Sequence, residues 1–91
     1  MLKINFSRHS EKFIRTIPAK HARQIGAKIM ALREMPNPPD SISMKGKAAD
    51  YRRVDSGEYR IIHRVNADTL EIVLIGKRND DEVYKRFLRI L

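Results

Sequence analysis

Cysteine is absent from the 91 residues of this chain. No disulfide framework can therefore hold the fold, which is typical of a protein from a reducing compartment. No segment approaches the ~20 consecutive apolar residues of a membrane-spanning helix, and residues 1–12 become charged early and contain no hydrophobic signal region. We therefore predict a soluble, cytoplasmic protein that has no contact with a membrane and forms one domain over residues 1–91.

Acidic residues are scarce relative to basic ones, with 11 Asp and Glu against 19 Lys and Arg, so the formal net charge is +8. Such an excess attracts polyanions, and nucleic acid is the usual polyanion in cytoplasm. A basic surface that only aids solubility, or that awaits an acidic protein, is the alternative interpretation. The histidines form no cluster with metal-ligand spacing, so we expect no metal, cofactor or small-molecule substrate.

The N-terminal half predicts one strand followed by two helices. Residues 2–6 alternate apolar and polar side chains, which is the period of a half-buried strand. Ser7 can cap a first helix, and Pro18 is suited to the first turn of a second helix that runs to Met35. The second helix has an apolar stripe at Ala22, Ile25, Ile29 and Leu32 and a basic outer face. Gly26 lies near its middle, where we expect it to permit close packing on the sheet.

The C-terminal half predicts an antiparallel meander followed by a helix. Prolines at 36–39 end the second helix, and residues 41–50 are predicted to be a loop. Strands are expected over 51–54, 59–65 and 69–77, with a turn at 55–57 and a capping box from Asn79 to Glu82. The acidic run 80–82 fits the positive end of that last helix better than a metal site. The fold class is therefore α+β, in the order β-α-α-β-β-β-α. We expect an antiparallel-rich sheet with two helices on one face and a C-terminal helix.

Arginines interrupt the two most apolar strands. Because side chains alternate across a strand, Arg60, Ile62 and Arg64 should share the less covered face. On the next strand the same face should carry Ile72, Leu74, Gly76 and Arg78. If the two strands pair as a hairpin, Arg60, Arg78 and Tyr84 can converge on one surface. Guanidinium groups form forked, charge-assisted hydrogen bonds with phosphate oxygens, so this surface suits a phosphodiester.

The segments YRRVDSGEYRIIHRV and LEIVLIGKRNDDEVY resemble the RelE/ParE toxin superfamily, and within it the RelE-type ribonucleases. The resemblance implies a RelE-like fold and a toxin of a type II toxin–antitoxin system. It also implies inhibition of translation by cleavage of mRNA in the ribosomal A site, and a cognate antitoxin as partner. By this resemblance Arg60 would bind the scissile phosphate, Arg78 would stand near the leaving 5′ oxygen as stabiliser or proton donor, and Tyr84 would assist deprotonation of the attacking 2′-hydroxyl. Because arginine stays protonated in almost every protein, electrostatic stabilisation by Arg78 is favoured over proton donation.

The resemblance also implies lysines on the strand that precedes Arg60. Arg52 aligns with the first of them, whereas the second falls near Val54, which cannot bind phosphate. The turn before Tyr59 is one residue longer than expected. The full set of predicted RNA-binding positions is Lys45, Lys47, Arg52, Arg53, Arg64 and Lys77.

Each of these residues also has a purely structural interpretation. Arg60 can pair with Asp55 or Asp68, Arg78 can contact the start of the last helix, and Tyr84 can pack in the core. At the level of function, one alternative is a ParE-like toxin that cuts nothing and inhibits DNA gyrase. Another is a non-catalytic module that binds nucleic acid with its basic helix.

Overall fold

The computed structural model describes residues 1–79 and 82–90. Its helices are α1 (Arg8–Thr16), α2 (Ala19–Glu34) and α3 (Glu82–Ile90), and its strands are β1 (Lys3–Phe6), β2 (Ile42–Ser43), β3 (Arg52–Ser56), β4 (Tyr59–Asn66) and β5 (Thr69–Lys77). The five strands form one sheet in the order β1-β5-β4-β3-β2. Strand β1 lies parallel to β5, and the other neighbours are antiparallel. The predicted α+β class is confirmed, and so is the element order apart from the short strand β2, which was not predicted. Within the described residues, no helix is long and apolar enough to cross a membrane.

The helix starts in the N-terminal half lie where the sequence predicts them. The Ser7 side chain accepts a hydrogen bond from the Ser10 backbone N–H at 3.0 Å, which caps α1. Pro18 is the residue before α2. Gly26 differs from expectation, because a Cβ added there would meet no heavy atom of the described residues within 4 Å. Glycine is therefore not required at this position for close packing on the sheet.

Two apolar clusters hold the helices on the sheet. The first lies between the sheet and helices α1 and α2, with Ile25, Ile29 and Ile61 at its centre. The second lies on the opposite face and contains Ala48, Ile62, Leu74 and the fully buried Phe87 of α3. Helix α3 thus covers part of the face that the arginines were predicted to occupy. The predicted capping box at Asn79–Glu82 and the acidic run 80–82 include residues outside the described part of the chain.

Strand β2 is a correction to the predicted loop at 41–50. Its two residues pair with β3, Ile42 opposite Arg53 and Ser43 opposite Arg52. A 3-10 turn, Gly46–Ala48, then leads back toward β3. A two-residue strand is too short to show an alternating pattern, so no periodicity predicts it.

The β3–β4 turn is shorter than predicted, and this moves Asp55 and Ser56 into β3. The ladder continues through Asp55 opposite Arg60 to Ser56 opposite Tyr59. Gly57 has a φ of 58°, a left-handed conformation that glycine adopts easily, so Gly57 and Glu58 alone close the turn. The predicted turn at 55–57 is therefore wrong by two residues at its start.

A bulge in the β4–β5 ladder changes the predicted face of Ile72. Ile62 pairs with Leu74 but His63 pairs with Ile72, which leaves Val73 as an extra residue on β5. Ile72 consequently packs in the cluster under α1 and α2, whereas Leu74 packs under α3. The prediction that Ile72 and Leu74 share a face is wrong for this reason.

Candidate active site

Arg60 and Asp55 face each other across the β3–β4 hairpin. The Arg60 Nε–H donates to Asp55 Oδ1 at 2.8 Å, and Nη2 donates to Oδ2 at 3.4 Å. On the other side of Arg60 the ladder partner is Gly76, whose missing side chain leaves room for the guanidinium. The Arg60 side chain is only 15% exposed, against 40% for Asp55. The hairpin therefore holds a nearly buried cation at the surface of the sheet.

Tyr84 approaches Arg60 from helix α3. Nη1 of Arg60 donates a hydrogen bond to the Tyr84 hydroxyl, and the guanidinium carbon lies 5.5 Å from the centre of the phenol ring. Three residues later, Phe87 anchors the same side of α3 against Ile62 and Leu74. Helix α3 thus places a phenol on the arginine, 24 residues away in sequence.

Arg78 follows β5 beside the same hairpin. Its backbone N–H donates to the carbonyl of Glu58 at 2.9 Å, which fixes its position next to the β3–β4 turn. The hydrogen bond from Arg60 is the main cause that lowers the pKa of Asp55 below 3.8, and the charges of Arg60, Arg78 and Arg53 lower it further. Three cations thus surround one ionised carboxylate.

Arg52 and Arg53 of β3 lie on opposite faces of the sheet. Arg53 lies opposite Ile62, on the face that carries Arg60 and α3. Arg52 lies opposite His63, on the face that carries α2, where His63 Nε2 is 3.0 Å from the carbonyl of Pro36. The Arg52 guanidinium donates to the side chain and the carbonyl of Ser41 at 2.8 and 3.2 Å. The structure therefore places Arg53, and not Arg52, on the side of Arg60 and Tyr84.

The other predicted RNA-binding residues are spread more widely. Arg64 shares the face of Arg60 but pairs with Glu71 at 2.5 Å and lies 4.9 Å from the ring centre of Tyr51. Lys77 is opposite the buried Tyr59 and so belongs to the face of α1 and α2. Lys45 and Lys47 are exposed on either side of Gly46. Of the predicted RNA-binding residues, Arg53 is the one that shares the face of Arg60 and whose charge acts on Asp55.

Asp55 is a site residue whose importance is not evident from the sequence. The sequence predicts it to lie in a turn and to be only a structural partner of Arg60. The ladder shows that it lies in β3 directly beside Arg60, whereas the other suggested partner, Asp68, lies 3.4 Å from Lys3. Gly57 is the feature of the sequence that could have predicted this pairing, because a two-residue turn at 57–58 brings Asp55 opposite Arg60.

A small mixed sheet of this order, with two helices on one face and a C-terminal helix on the other, is a RelE-like fold. Residues 4–82 match the sequence model of the family described as the ParE toxin of type II toxin–antitoxin systems, parDE. The chain belongs to this family. No curated protein matches the chain.

Solved structures show the same fold at low sequence identity. The isolated RelE toxin of E. coli is 22% identical, with a TM-score of 0.75 and 100% of both chains covered. The archaeal RelE–RelB complex from Pyrococcus horikoshii OT3 is 24% identical, with a TM-score of 0.75, 86% of this chain and 96% of that chain covered. The YoeB/ParE toxin from Agrobacterium tumefaciens is 19% identical, with a TM-score of 0.70 and coverage of 85% and 99%.

Proposed function

We propose that this toxin is a metal-independent endoribonuclease that cleaves mRNA in the A site of the translating ribosome. The observation that carries the proposal is the contact between Arg60 and the Tyr84 hydroxyl on the face of the sheet that also bears Arg53. RNA supplies its own nucleophile, the 2′-hydroxyl, so the protein must only orient it, move protons and stabilise the charge on phosphorus. A guanidinium fork beside a phenol has the chemical groups for part of these tasks.

Each of the three proposed catalytic residues has a different chemical role. Arg60 donates hydrogen bonds to the non-bridging oxygens of the scissile phosphate and stabilises their growing charge. Tyr84 assists removal of the proton from the 2′-hydroxyl through its phenol oxygen, which the hydrogen bond from Nη1 of Arg60 holds in position. Arg78 stabilises the leaving 5′ oxygen electrostatically, because a guanidinium does not release its proton at physiological pH.

The proposed partners follow from the family and the charge. A cognate antitoxin is the expected protein partner of a type II toxin, and the solved relatives include RelE–RelB complexes. mRNA and the ribosome are the proposed targets of the basic surface, whose net charge is +8. We expect Arg53 to contact RNA beside Arg60, with Lys45, Lys47 and Arg64 further along the strand. Because the ribosome would fix the geometry of the RNA, we expect the isolated protein to cleave free RNA poorly.

The test is to map mRNA 5′ ends in a translating extract with and without the toxin. New 5′ ends at A-site codons are expected with the native protein. Arg60→Ala, Arg78→Ala and Tyr84→Phe should each abolish them, while Arg23→Ala, an exposed arginine on α2, serves as the matched control. Intact transcripts on stalled or slowed ribosomes would contradict the proposal.

A second candidate is a ParE-like toxin that inhibits DNA gyrase without cutting RNA. The description of the matched family favours it, whereas the Arg60–Tyr84 pair favours the nuclease. A supercoiling assay with purified gyrase separates the two. Inhibition that survives Tyr84→Phe, together with intact mRNA, would support the gyrase inhibitor. Salt-sensitive RNA binding without cleavage or gyrase inhibition would instead indicate a non-catalytic binding module.

A further inference from the structure

The Arg60 guanidinium has a defined orientation in the structure. Of its five N–H groups, the one on Nε and one of the two on Nη2 are engaged by the Asp55 carboxylate, and one of the two on Nη1 is engaged by the Tyr84 hydroxyl. One N–H group on each terminal nitrogen makes no hydrogen bond with the described residues. These two groups are the donors that remain for a phosphate.

A carboxylate at this position has a cost for a phosphodiester site, because it repels the substrate. Its contribution to stability as an ion pair is small, since 40% of its side chain is exposed and water screens the attraction. Arg53 and Arg78 offset the repulsion, because together with Arg60 they leave an excess of positive charge around Asp55. The site therefore still attracts phosphate, while the Asp55 carboxylate constrains the guanidinium of Arg60.

We propose that Asp55 is a positioning residue, which holds the guanidinium plane of Arg60 so that its two remaining N–H donors face the scissile phosphate. Asp55 acts through Arg60 and does not touch the RNA. The proposal rests on the proposed nuclease function. Its physical basis is that a long arginine side chain has many rotamers, and a partner fixed on the neighbouring strand removes this freedom before substrate binds.

The competing possibility is that Asp55 occupies the place of the phosphate and must leave before RNA binds. The two possibilities predict opposite effects for Asp55→Ala. Loss of a positioning residue lowers the cleavage rate at saturating toxin and leaves the half-saturating concentration unchanged or lower. Loss of a competitor raises both the rate and the affinity.

The kinetic experiment compares native toxin with Asp55→Ala and Asp55→Asn in a translating extract. We expect a rate loss of about 10²-fold for the alanine variant, the size that misplacement of a reacting group by about 1 Å produces, and a smaller loss for asparagine, which keeps one acceptor for Nε. Asp40→Asn is the matched control, because it disrupts the exposed Lys28–Asp40 pair at 2.6 Å. An unchanged or faster rate in both Asp55 variants would overturn the proposal.

A double variant tests whether Asp55 acts through Arg60. Asp55→Ala combined with Arg60→Ala should be no slower than Arg60→Ala alone, since the positioning residue then has nothing to position. Additive losses would overturn the proposal, because they would mean that Asp55 has its own contact with substrate or its own structural role.

A readout without RNA separates this inference from the proposed function. In the NMR spectrum of the native toxin, the Arg60 Nε–H should exchange slowly with solvent, because Asp55 accepts it at 2.8 Å. Exchange should become fast in Asp55→Ala, which has no acceptor for Nε, and stay slow in Asp40→Asn, with equal melting temperatures as proof of folding. Slow exchange in Asp55→Ala would overturn the positioning role. A native toxin that cleaves nothing but shows slow exchange would instead contradict the nuclease function alone.

Discussion

Two glycines show how the surroundings of a single residue decide the effect of one methyl group. Gly26 lies inside α2, and an added Cβ there would meet no described heavy atom within 4 Å. Gly57 closes the β3–β4 turn with φ +58°, and an added Cβ would lie 2.9 Å from Oε1 of Gln24. The same substitution should therefore have opposite effects at the two positions.

We predict that Gly26→Ala raises the free energy of unfolding by about 0.5–1 kcal/mol, because alanine has the higher helix propensity and the site has space. Gly57→Ala should lower it by more than about 1 kcal/mol, because alanine disfavours the left-handed conformation. Urea denaturation measures both. A destabilised Gly26→Ala variant would show that Gly26 has a packing role after all.

Arg52 and Arg53 are neighbours in sequence, but their environments assign them different tasks. Arg53 faces the Arg60 site, whereas Arg52 donates two hydrogen bonds to Ser41 on the α2 face. We predict that Arg53→Ala slows cleavage about 10-fold or more with little change in stability. Arg52→Ala should lower stability by about 1 kcal/mol, the usual value of such hydrogen bonds, and leave cleavage of the folded protein nearly unchanged.

The cleavage assay and a urea titration of the same two variants check this separation. Larger loss of cleavage in Arg52→Ala than in Arg53→Ala would mean that the face assignment is wrong. The RNA-binding role assigned to Arg52 from the resemblance would then be restored.

At the scale of elements, helices and long strands were predictable because their patterns are long. Residues 19–34 repeat apolar side chains over four turns, and residues 69–77 form one β-branched run. Strand β2 and the bulge at Val73 were not predictable, because two residues have no period and a bulge leaves no compositional mark. The turn before Tyr59 was misplaced by two residues at its start, so Asp55 and Ser56 were not predicted to lie in β3.

The candidate site was predictable in part for the same physical reason. Alternation along β4 places Arg60, Ile62 and Arg64 on one face, as expected. The approach of Tyr84 depends on the docking of α3, which no local pattern determines. The partner of Arg60 depends on the length of the β3–β4 turn. Contacts between elements, rather than elements themselves, were thus the part that the sequence left open.

Helix α3 links stability to the site through one aromatic residue. Phe87 of α3 is fully buried against Ile62 and Leu74, whereas its neighbour Leu88 is 66% exposed. We predict that Phe87→Ala loosens α3 and removes the Tyr84–Arg60 contact, because the lost packing is worth about 3–5 kcal/mol in a protein core. Cleavage should fall strongly although every proposed catalytic residue is present.

Leu88→Ala is the matched control for this prediction and should change neither cleavage nor protection. Limited proteolysis of α3 measures the loosening directly. If Phe87→Ala cleaves RNA at the native rate, the position of Tyr84 on α3 is not required and the proposed role of the phenol fails with it.

At the scale of the whole molecule, the net charge of +8 predicts a salt-dependent affinity for RNA. Part of this charge lies on the Arg60 face, with Arg53 and Arg78 beside it, and another part on the outer surface of α2, which carries Arg23. For single-stranded RNA, the logarithm of the affinity should fall with the logarithm of salt concentration by about 0.7 per cation in contact. Three contacts at the site predict a slope of roughly −2.

Tyr84→Phe, which keeps the charge, allows binding to be measured without cleavage. In that background Arg53→Ala should reduce the slope by about 0.7 and Arg23→Ala should leave it unchanged. A reduced slope with Arg23→Ala alone would show that the RNA binds to α2 and not to the sheet face.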